Sequence, residues 1–311
     1  MSTHGDYVQM KPIYKSVVVA VITTASLCIS ADALARDIYV NNQIGSDFLD
    51  GFSEDRGQGK IGPVKTITRA LALARRGDNI VLANTGQSYQ ESISIQGARH
   101  NGLKKKPFLI VGNGATLDGT RTIKPEEWDI VGNAVFEMTP RETTRTLLYL
   151  DGKPATSVAV NRDATKVPEL APNQWCIYRG RIYFKCEEGK IPLDYELSLT
   201  DLQVGISIYN VRGLIISDLT IQGFRQDGIN AHDNVFECEL AELRVRGNGR
   251  SGISVGGSSR VLIEACLIGS NGKTQVRTEA RSIVKLRSND IISADDGTGV
   301  DDGGAQVIQE D

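Results

Sequence analysis

Asp227-Gly-Ile-Asn-Ala-His-Asp233 is one copy of a repeat that runs through the second half of the chain. An apolar residue equivalent to Ile229 recurs every 23 or 24 residues. The positions that share this spacing are Ile206, Ile229, Ile253, Val276 and Val300. A second series keeps step with the first and contains Ile221, Val245, Ile268 and Ile291. A unit of this length is too short for a propeller blade and lacks helical periodicity, so each copy is predicted to be one coil of a solenoid.

The N-terminal half adds family features to this repeat. Asp37-Ile-Tyr-Val-Asn41 with Gly45-Ser-Asp47, the stretch from Val64 to Val81 and the Gly-Ile coils from residue 205 resemble the pectin-lyase-like superfamily. The resemblance covers most of residues 36 to 298. It implies an all-β fold, a single-stranded right-handed parallel β-helix with coils of 23 or 24 residues. Because this fold hosts lyases, hydrolases, epimerases and binding proteins, it does not by itself define a function.

The sequence divides into five segments. They are a signal peptide (1–35), an N-terminal cap with the first coils (36–139), an inserted β-rich subdomain (140–201), regular coils (202–298) and an acidic, glycine-rich tail (299–311). Residues 131–138 are expected to form a strand of the first coils, and hairpin signals mark the insert. Asn248-Gly249 and Asn271-Gly272 are expected to be turns, with each asparagine in the left-handed region.

An amphipathic segment at residues 65–76 is predicted to be a helix. It places Ile67, Leu71 and Ala74 on one face. A helix of this kind is suited to cover the open end of a solenoid, which exposes apolar core and unpaired backbone.

The first 35 residues have the pattern of a secretory signal. Basic residues near Met10 precede an apolar run from Val17 to Ile29 and the small-residue motif Ala33-Leu-Ala35. We expect cleavage after Ala35, a secreted or periplasmic protein and no stable membrane span after cleavage. A retained membrane anchor is the alternative, although the apolar run is short for one.

Charge and cysteine content narrow the partners and cofactors. A net charge of -3 argues against a nucleic-acid partner. The protein is expected to be a monomer, and its expected partner is a polysaccharide. No zinc site or other cofactor is predicted; calcium is left open by the acidic loop, which lacks a known calcium spacing. The acids of this loop are Asp47, Asp50, Glu54 and Asp55. Cys176, Cys186, Cys238 and Cys266 are expected to be buried thiols, with a 176–186 disulfide as the alternative.

Strand alternation predicts a polar surface on the repeat. If Ile229 and its equivalents point inward, their neighbours point outward. One outward column would contain Ser207, Asn230, Ser254 and Arg277, and the next Tyr209, His232, Gly256 and Glu279. A third column near the preceding turn would contain Gln226, Arg250 and Lys273. This surface would bring a phenol, an imidazole, a carboxylate and several cations within reach of one or two sugar units.

The stretch from Asp227 to Asp233 also resembles the Gly-Ile-Asp-Pro-His-Asp signature of mannuronan C5-epimerases and related alginate lyases. His232 and Asp233 match that signature, whereas Asn230 replaces its aspartate and Ala231 its proline. The resemblance implies His232 and Tyr209 as the base and acid, with Asp233 orienting the histidine. The predicted substrate-binding residues are Asn230, Arg250, Lys273, Arg277 and Glu279.

Two alternatives to a lyase or epimerase remain open. Asp227 and Asp233 would serve as a glycosidase pair if their oxygens lay roughly 5 to 10 Å apart. The second alternative is a non-catalytic solenoid that binds glycans or the cell envelope. In either reading the aromatic side chains of Trp175, Tyr178 and Tyr183 have two candidate roles, stacking on a sugar or packing the insert.

Overall fold

The computed structural model of this protein describes residues 35–103, 105–293 and 298–310. The predicted signal peptide up to residue 34, Lys104, part of the acidic stretch before residue 298 and the last residue lie outside these ranges. Within the described ranges, none of the helices has the length and apolar character needed to span a membrane.

Short strands build the coils. The coils before the insert contain β1 (Asp37–Val40), α1 (Ile67–Leu73), β2 (Asn79–Leu82), β3 (Ile93–Gln96) and β4 (Phe108–Asp118). The insert contains β5 (Thr120–Thr122), β6 (Asp129–Gly132), β7 (Val135–Met138), β8 (Leu148–Leu150), β9 (Lys153–Pro154), β10 (Thr156–Ser157), β11 (Gln174–Tyr178), β12 (Arg181–Lys185) and β13 (Leu197–Thr200). The coils after it contain β14 (Ile206–Tyr209), β15 (Arg212–Gln222), β16 (Asp227–Ala231), β17 (Phe236–Ala241), β18 (Arg244–Arg246), β19 (Ser251–Val255), β20 (Arg260–Glu264), β21 (Leu267–Gly269), β22 (Thr274–Thr278), β23 (Ile283–Arg287), β24 (Asp290–Ile292), β25 (Thr298–Asp301) and β26 (Gln306–Glu310).

Corresponding strands of successive coils pair in parallel and form the long faces of the solenoid. One face follows the order β1-β2-β4-β15-β17-β20-β23-β26, and a second follows β3-β14-β16-β19-β22-β25. A shorter third row, β18-β21-β24, continues from the second half of β15. The ladder is bent inside β15, where the pairing register shifts between Ser217 and Leu219 and Asp218 has a φ of 51°.

The two apolar series read from the sequence are confirmed as ladders. In the first, Ile229 pairs with Ile206 on one side and with Ile253 on the other. Val276 and Val300 continue this series into the last coil. The second series pairs Ile221, Val245, Ile268 and Ile291 in the same way. Stacked apolar side chains fill the interior, and this burial is the main stabilising term of the solenoid.

The tail expected after residue 298 is instead part of the repeat. β25 pairs with β22, and β26 pairs with β23. Val300 and Val307 are packed against the main core. An acidic, glycine-rich composition is typical of an unpaired tail. The backbone of each coil nevertheless pairs with the coil before it whatever its side chains, and two valines at core positions are enough to fix the register.

The insert begins earlier than residue 140. β7 pairs antiparallel with β12, and β5 pairs antiparallel with β13. Residues 131–138, expected in the first coils, therefore belong to the insert. An apolar alternation such as Val135–Met138 suits any half-buried strand, and its partner is set by contacts distant in the sequence. The insert has its own core, which includes Phe136, Trp175 and Phe184.

The predicted helix is observed but shorter, from Ile67 to Leu73. Thr66 caps it by accepting the N–H of Arg69 on its side chain at 3.0 Å. Ile67 and Leu71 are buried, and α1 contacts β1, β2 and β3. The helix ends at Leu73, and its C-cap residue Ala74 has an extended backbone.

Asn248 and Asn271 are not the turn residues that the sequence suggested. Positive φ angles occur one residue earlier, at Gly247 and Ser270. Both asparagines are buried, and Asn248 donates from Nδ2 to Oδ1 of Asn271 at 2.9 Å. They form an internal polar ladder because each amide supplies the donors and acceptors that the buried coil corner lacks.

Candidate functional site

The outward face of β14, β16, β19 and β22 brings the predicted columns together. Asn230 pairs with Ser207 in the preceding coil and with Ser254 in the next. Ser254 in turn pairs with Arg277. Because parallel strands stand about 4.8 Å apart, each column is a row of side chains at that spacing. The first predicted column is therefore observed in register.

His232 follows β16 and lies on the outer side of this face. Its backbone N–H donates to the carbonyl of Ile208 at 3.0 Å, which continues the register beyond the end of the strand. The imidazole is half-buried and lies against Gly256 in the next coil. Tyr209, at the end of β14 in the preceding coil, is 39% exposed. His232 and Tyr209 thus occupy adjacent coils on one face, as the alternation requires.

Asp233 does not hold the imidazole. Its backbone turns the corner with a φ of 53°, and its carbonyl accepts the N–H of Asn210 at 2.8 Å. The carboxylate lies beside Gly257, and in the part of the chain that the structure describes no hydrogen bond joins it to His232. Packing against Gly256, rather than a carboxylate, sets the position of the ring.

Asp227 is buried inside the corner of the coil and fully engaged. Two hydrogen bonds join it to the guanidinium of Arg250, one of them from Nε at 2.7 Å. Ser251 donates from Oγ at 2.6 Å and Asn230 donates from Nδ2 at 3.0 Å. The hydrogen bond with Asp227 raises the pKa of Arg250. Asp227, Asn230 and Arg250 are therefore one cluster, in which the carboxylate is a structural anchor for the other two.

Asp227 and Asp233 lie at opposite ends of β16. A strand rises about 3.3 Å per residue, so the Cα atoms of Asp227 and Ala231 are about 13 Å apart and Asp233 lies two residues beyond. Asp227 is also fully buried, whereas Asp233 is exposed. The Asp227 carboxylate is taken up by Arg250, Ser251 and Asn230, so the two acids do not form a pair of free carboxylates facing one site.

The remaining predicted cations, Arg277 and Lys273, lie in the coil that follows Arg250, together with Glu279. Arg277 forms an ion pair with Glu279 two residues further along the same side of the chain. Glu279 also acts on Arg250, since its negative charge contributes to the raised pKa of that group. Lys273 is exposed, and its backbone N–H donates to the carbonyl of Arg250 at 3.0 Å. Between the Asn230 and Arg277 positions, the hydroxyl of Ser254 is buried without a hydrogen-bond partner.

The carboxylates of the acidic loop and the four cysteines have the following contacts. In the acidic loop, Asp47 accepts the N–H groups of Lys65 and Thr66, and Asp50 accepts those of Phe52 and Gly62. Across the described ranges there is no cluster of three or more His, Cys, Asp or Glu side chains suited to a metal ion. The four cysteines are buried and free, as expected for packed thiols.

The aromatic residues singled out in the insert are mostly packing residues. Trp175 and Tyr183 are buried in the cores of the insert. A different pair, Trp128 and Tyr195, lines an open cleft of about 780 Å³. A sequence signal for this pair exists, because each aromatic residue directly follows a Pro-x-acid turn: Pro125-Glu-Glu127 and Pro192-Leu-Asp194.

A family model and one solved structure support the fold, and two further structures show a weaker likeness. A family described as right handed beta helix region matches residues 197–310. A solved glycoside hydrolase aligns with 11% identity and a TM-score of 0.52, covering 82% of this chain and 74% of that one. The complex of XylC with xylose aligns with 12% identity and a TM-score of 0.46, covering 85% of this chain and 64% of that one. Pectate lyase Pel9A aligns with 11% identity and a TM-score of 0.31, covering 83% of this chain and 63% of that one.

This chain thus spans less than two thirds of the XylC and pectate lyase chains. No curated protein sequence gives a significant match. Likeness at such low identity concerns the backbone fold and assigns no chemistry to this chain.

Proposed function

We propose that this chain, a right-handed parallel β-helix of the pectin-lyase-like kind, acts on an acidic polysaccharide at the outward face of β14, β16, β19 and β22. The observation that carries the proposal is the placement of Tyr209 and His232 at equivalent positions of adjacent coils. An extended polymer laid along the stacked coils would meet both groups and then the cations of the following coils.

The chemistry that fits is removal of the C5 proton of a uronate. His232 accepts the proton, and Tyr209 supplies one to the opposite side of C5 in an epimerase or to the leaving oxygen at C4 in a lyase. The carbanion-like intermediate places negative charge on the substrate carboxylate, which Arg277 and Lys273 stabilise. Asp227 holds Arg250 and Asn230 at the edge of the site.

Glu279 competes with a substrate carboxylate for the guanidinium of Arg277. Because the two side chains are paired in the free protein, a uronate carboxylate must displace Glu279 or share the guanidinium with it. This cost favours substrates that present carboxylates on successive sugar units, since several contacts then compensate for one broken pair.

A non-catalytic glycan-binding solenoid is the second candidate. The observation that favours it is the pairing of the cations, Arg250 with Asp227 and Arg277 with Glu279. A face of this kind binds a polymer through several weak polar contacts, to which the cations contribute more than His232.

Incubation with a panel of polyuronates tests the proposal. Product is followed by the absorbance of an unsaturated uronate and by exchange of the C5 proton. We expect His232→Ala to reduce turnover by about 100-fold or more while binding persists. Arg277→Ala should weaken binding in a salt-dependent manner. Arg212→Ala is the matched control, because Arg212 is an exposed arginine in an ion pair on another face.

The two candidates give opposite rankings in this experiment. An enzyme loses turnover with His232→Ala, whereas a binding module is insensitive to that change and responds to the cation variants. Absence of turnover on every polyuronate in the panel, with binding retained, would establish the second candidate over the first.

Export is part of the proposal, since a polysaccharide of this kind is met outside the cytoplasm. The support is the charged, apolar and Ala33-Leu-Ala35 pattern of the first 35 residues. N-terminal sequencing of protein recovered from the periplasm or medium should begin at Arg36. A product that retains Met1 or Met10 would contradict cleavage at this site.

A further inference from the structure

The insert contains a cleft that is separate from the face around His232. Two short turns form its walls, and each begins with proline and is directly followed by an aromatic residue, Trp128 or Tyr195. The strand residues of its floor include Thr122 and Ser198, which pair across β5 and β13. Gln87 from the first coils completes the rim.

The walls are held in place before any ligand arrives. In the first turn, Glu127 accepts the N–H of Lys124 at 2.9 Å and forms two hydrogen bonds of 3.0 Å with Arg121. In the second, Asp194 accepts the N–H of Ile191 at 2.9 Å. The hydroxyl of Tyr195 accepts the N–H of Glu187 at 2.9 Å. Such prior fixation lowers the entropy cost of binding.

Trp128 belongs to a row of three packed rings. Its ring centroid lies 6.2 Å from that of Phe184, which in turn packs edge-on against Tyr195. The indole is half-buried and lines the cleft. Leu193, 64% exposed, lines the same cleft. Packing therefore supports the indole from one side and leaves apolar surface facing the cleft, where an apolar ligand face would remove it from water.

The charge of the lining selects the class of ligand. The described residues that line the cleft include one carboxylate, Glu196, and hydroxyl and amide groups, but no lysine or arginine. Lys190, whose ammonium lies 5.2 Å from the centroid of the Tyr195 ring, is paired with Glu187. An acidic sugar would therefore meet no compensating cation there and would be repelled by Glu196. A neutral sugar has the apolar ring face for Trp128 and the hydroxyls for the polar groups. The volume of about 780 Å³ accommodates a short oligosaccharide.

We propose that this cleft is a binding site for neutral oligosaccharides, with Trp128 as the stacking surface. It is independent of the chemistry proposed for His232 and places a second carbohydrate contact on the insert. The cleft would hold a neutral stretch of the polysaccharide, or a neutral polysaccharide that lies next to the acidic one. The outward face of the coils would at the same time bind the carboxylates of the acidic polysaccharide.

Tryptophan fluorescence and calorimetry test the site on the full chain. Trp128 and the buried Trp175 are the two tryptophans, so a ligand in the cleft reports through Trp128. The probes are hexasaccharides of neutral β-linked glucose, xylose and mannose, with oligogalacturonate as the acidic comparison. We expect at least one neutral probe to bind and shift the emission, and oligogalacturonate to leave it unchanged.

Two variants and one control decide the assignment. Trp128→Ala should weaken neutral binding about tenfold or more. Leu193→Arg should also weaken neutral binding, because the longer side chain fills the cleft. Since Leu193 is exposed, this variant still tests the site if Trp128→Ala folds poorly. Phe48→Ala is the control, because Phe48 is 89% exposed and lies outside the cleft.

The proposal is overturned if no neutral probe binds, or if binding is unaffected by Leu193→Arg. Failure of His232→Ala to change turnover would leave this result untouched, since the two experiments use different ligands and different residues.

Discussion

The imidazole of His232 occupies the space that a side chain at Gly256 would fill. A Cβ at position 256 would lie 2.5 Å from Nδ1 and 3.2 Å from Nε2 of the ring. Glycine at this position of the coil therefore makes room for the histidine of the preceding coil. This contact, and not a hydrogen bond to the carboxylate of Asp233, fixes where the ring lies.

Gly256→Ala should displace the imidazole without unfolding the coil. The φ of Gly256 is not positive, so alanine is compatible with its backbone. We expect turnover of the proposed polyuronate substrate to fall by about 100-fold, because a misplaced base loses the reacting geometry. NMR resonances of the His232 ring should shift in parallel. Ser258→Ala, at an exposed residue two positions away, is the control; an unchanged ring environment in Gly256→Ala would contradict the contact.

The coil length, the strands of the regular coils and the first outward column were accessible from the sequence, because one apolar series fixes the direction of every neighbour. The same rule places Asp227 inward, since it lies two residues before Ile229. Its acidity and its place beside the signature around His232 made it a candidate catalytic group despite that parity. The contact of His232 with Gly256 depends on a side-chain rotamer, which alternation does not specify.

Asp227→Ala should destabilise the fold strongly. The carboxylate is buried and binds Arg250, Ser251 and Asn230, so its loss leaves a partly buried guanidinium and two polar groups without an acceptor. We expect the free energy of unfolding to fall by about 3 kcal/mol in chemical denaturation. Arg277→Ala breaks a half-exposed pair and should cost about 1 kcal/mol or less. Equal losses in the two variants would contradict the structural role of Asp227.

The internal asparagine ladder was missed because Asn-Gly is a strong turn signal. Asn248 and Asn271 lie 23 residues apart, at equivalent positions of two coils. A polar residue repeated at one coil position predicts a ladder as well as a turn, and only the burial of the side chain separates the two. Burial depends on how the corner is covered by neighbouring segments, which a local pattern does not contain.

Asn271→Asp tests the ladder with a change of few atoms. The Nδ2 group donates to the carbonyls of Val245 and Gly269 and to Oε1 of Gln275. Aspartate removes these donors and places a buried charge beside three oxygens, so we expect a loss of about 3 kcal/mol in unfolding free energy. Asn234→Asp is the matched control, because Asn234 is exposed and bonds to Asn210 on the surface. A similar, small effect in both variants would argue against the ladder.

His100 should make stability depend on pH through the contact between α1 and the coils. Its Nδ1 accepts the backbone N–H of Gln96 at 3.0 Å, so the proton of the neutral ring is on Nε2, which donates to the carbonyl of Leu71 at 3.0 Å. Burial, the largest cause, and the nearby charge of Arg99 lower the pKa of His100. Protonation would remove the acceptor for Gln96 and place a charge in a buried site.

Because the folded pKa is lowered, the unfolded chain binds the proton first as pH decreases. The stabilisation by neutral His100 is therefore complete above about pH 6.5 and is lost as the pH falls through the folded pKa. The lowered carboxyl pKa values of Asp78 and Glu127 act at more acidic pH, through the titration of carboxylates rather than of histidine. We expect the thermal midpoint to fall between pH 7 and 5, and to fall less in His100→Gln. His232→Ala is the control for the other described histidine, and an equal pH dependence in wild type and His100→Gln would show that the helix contact does not titrate.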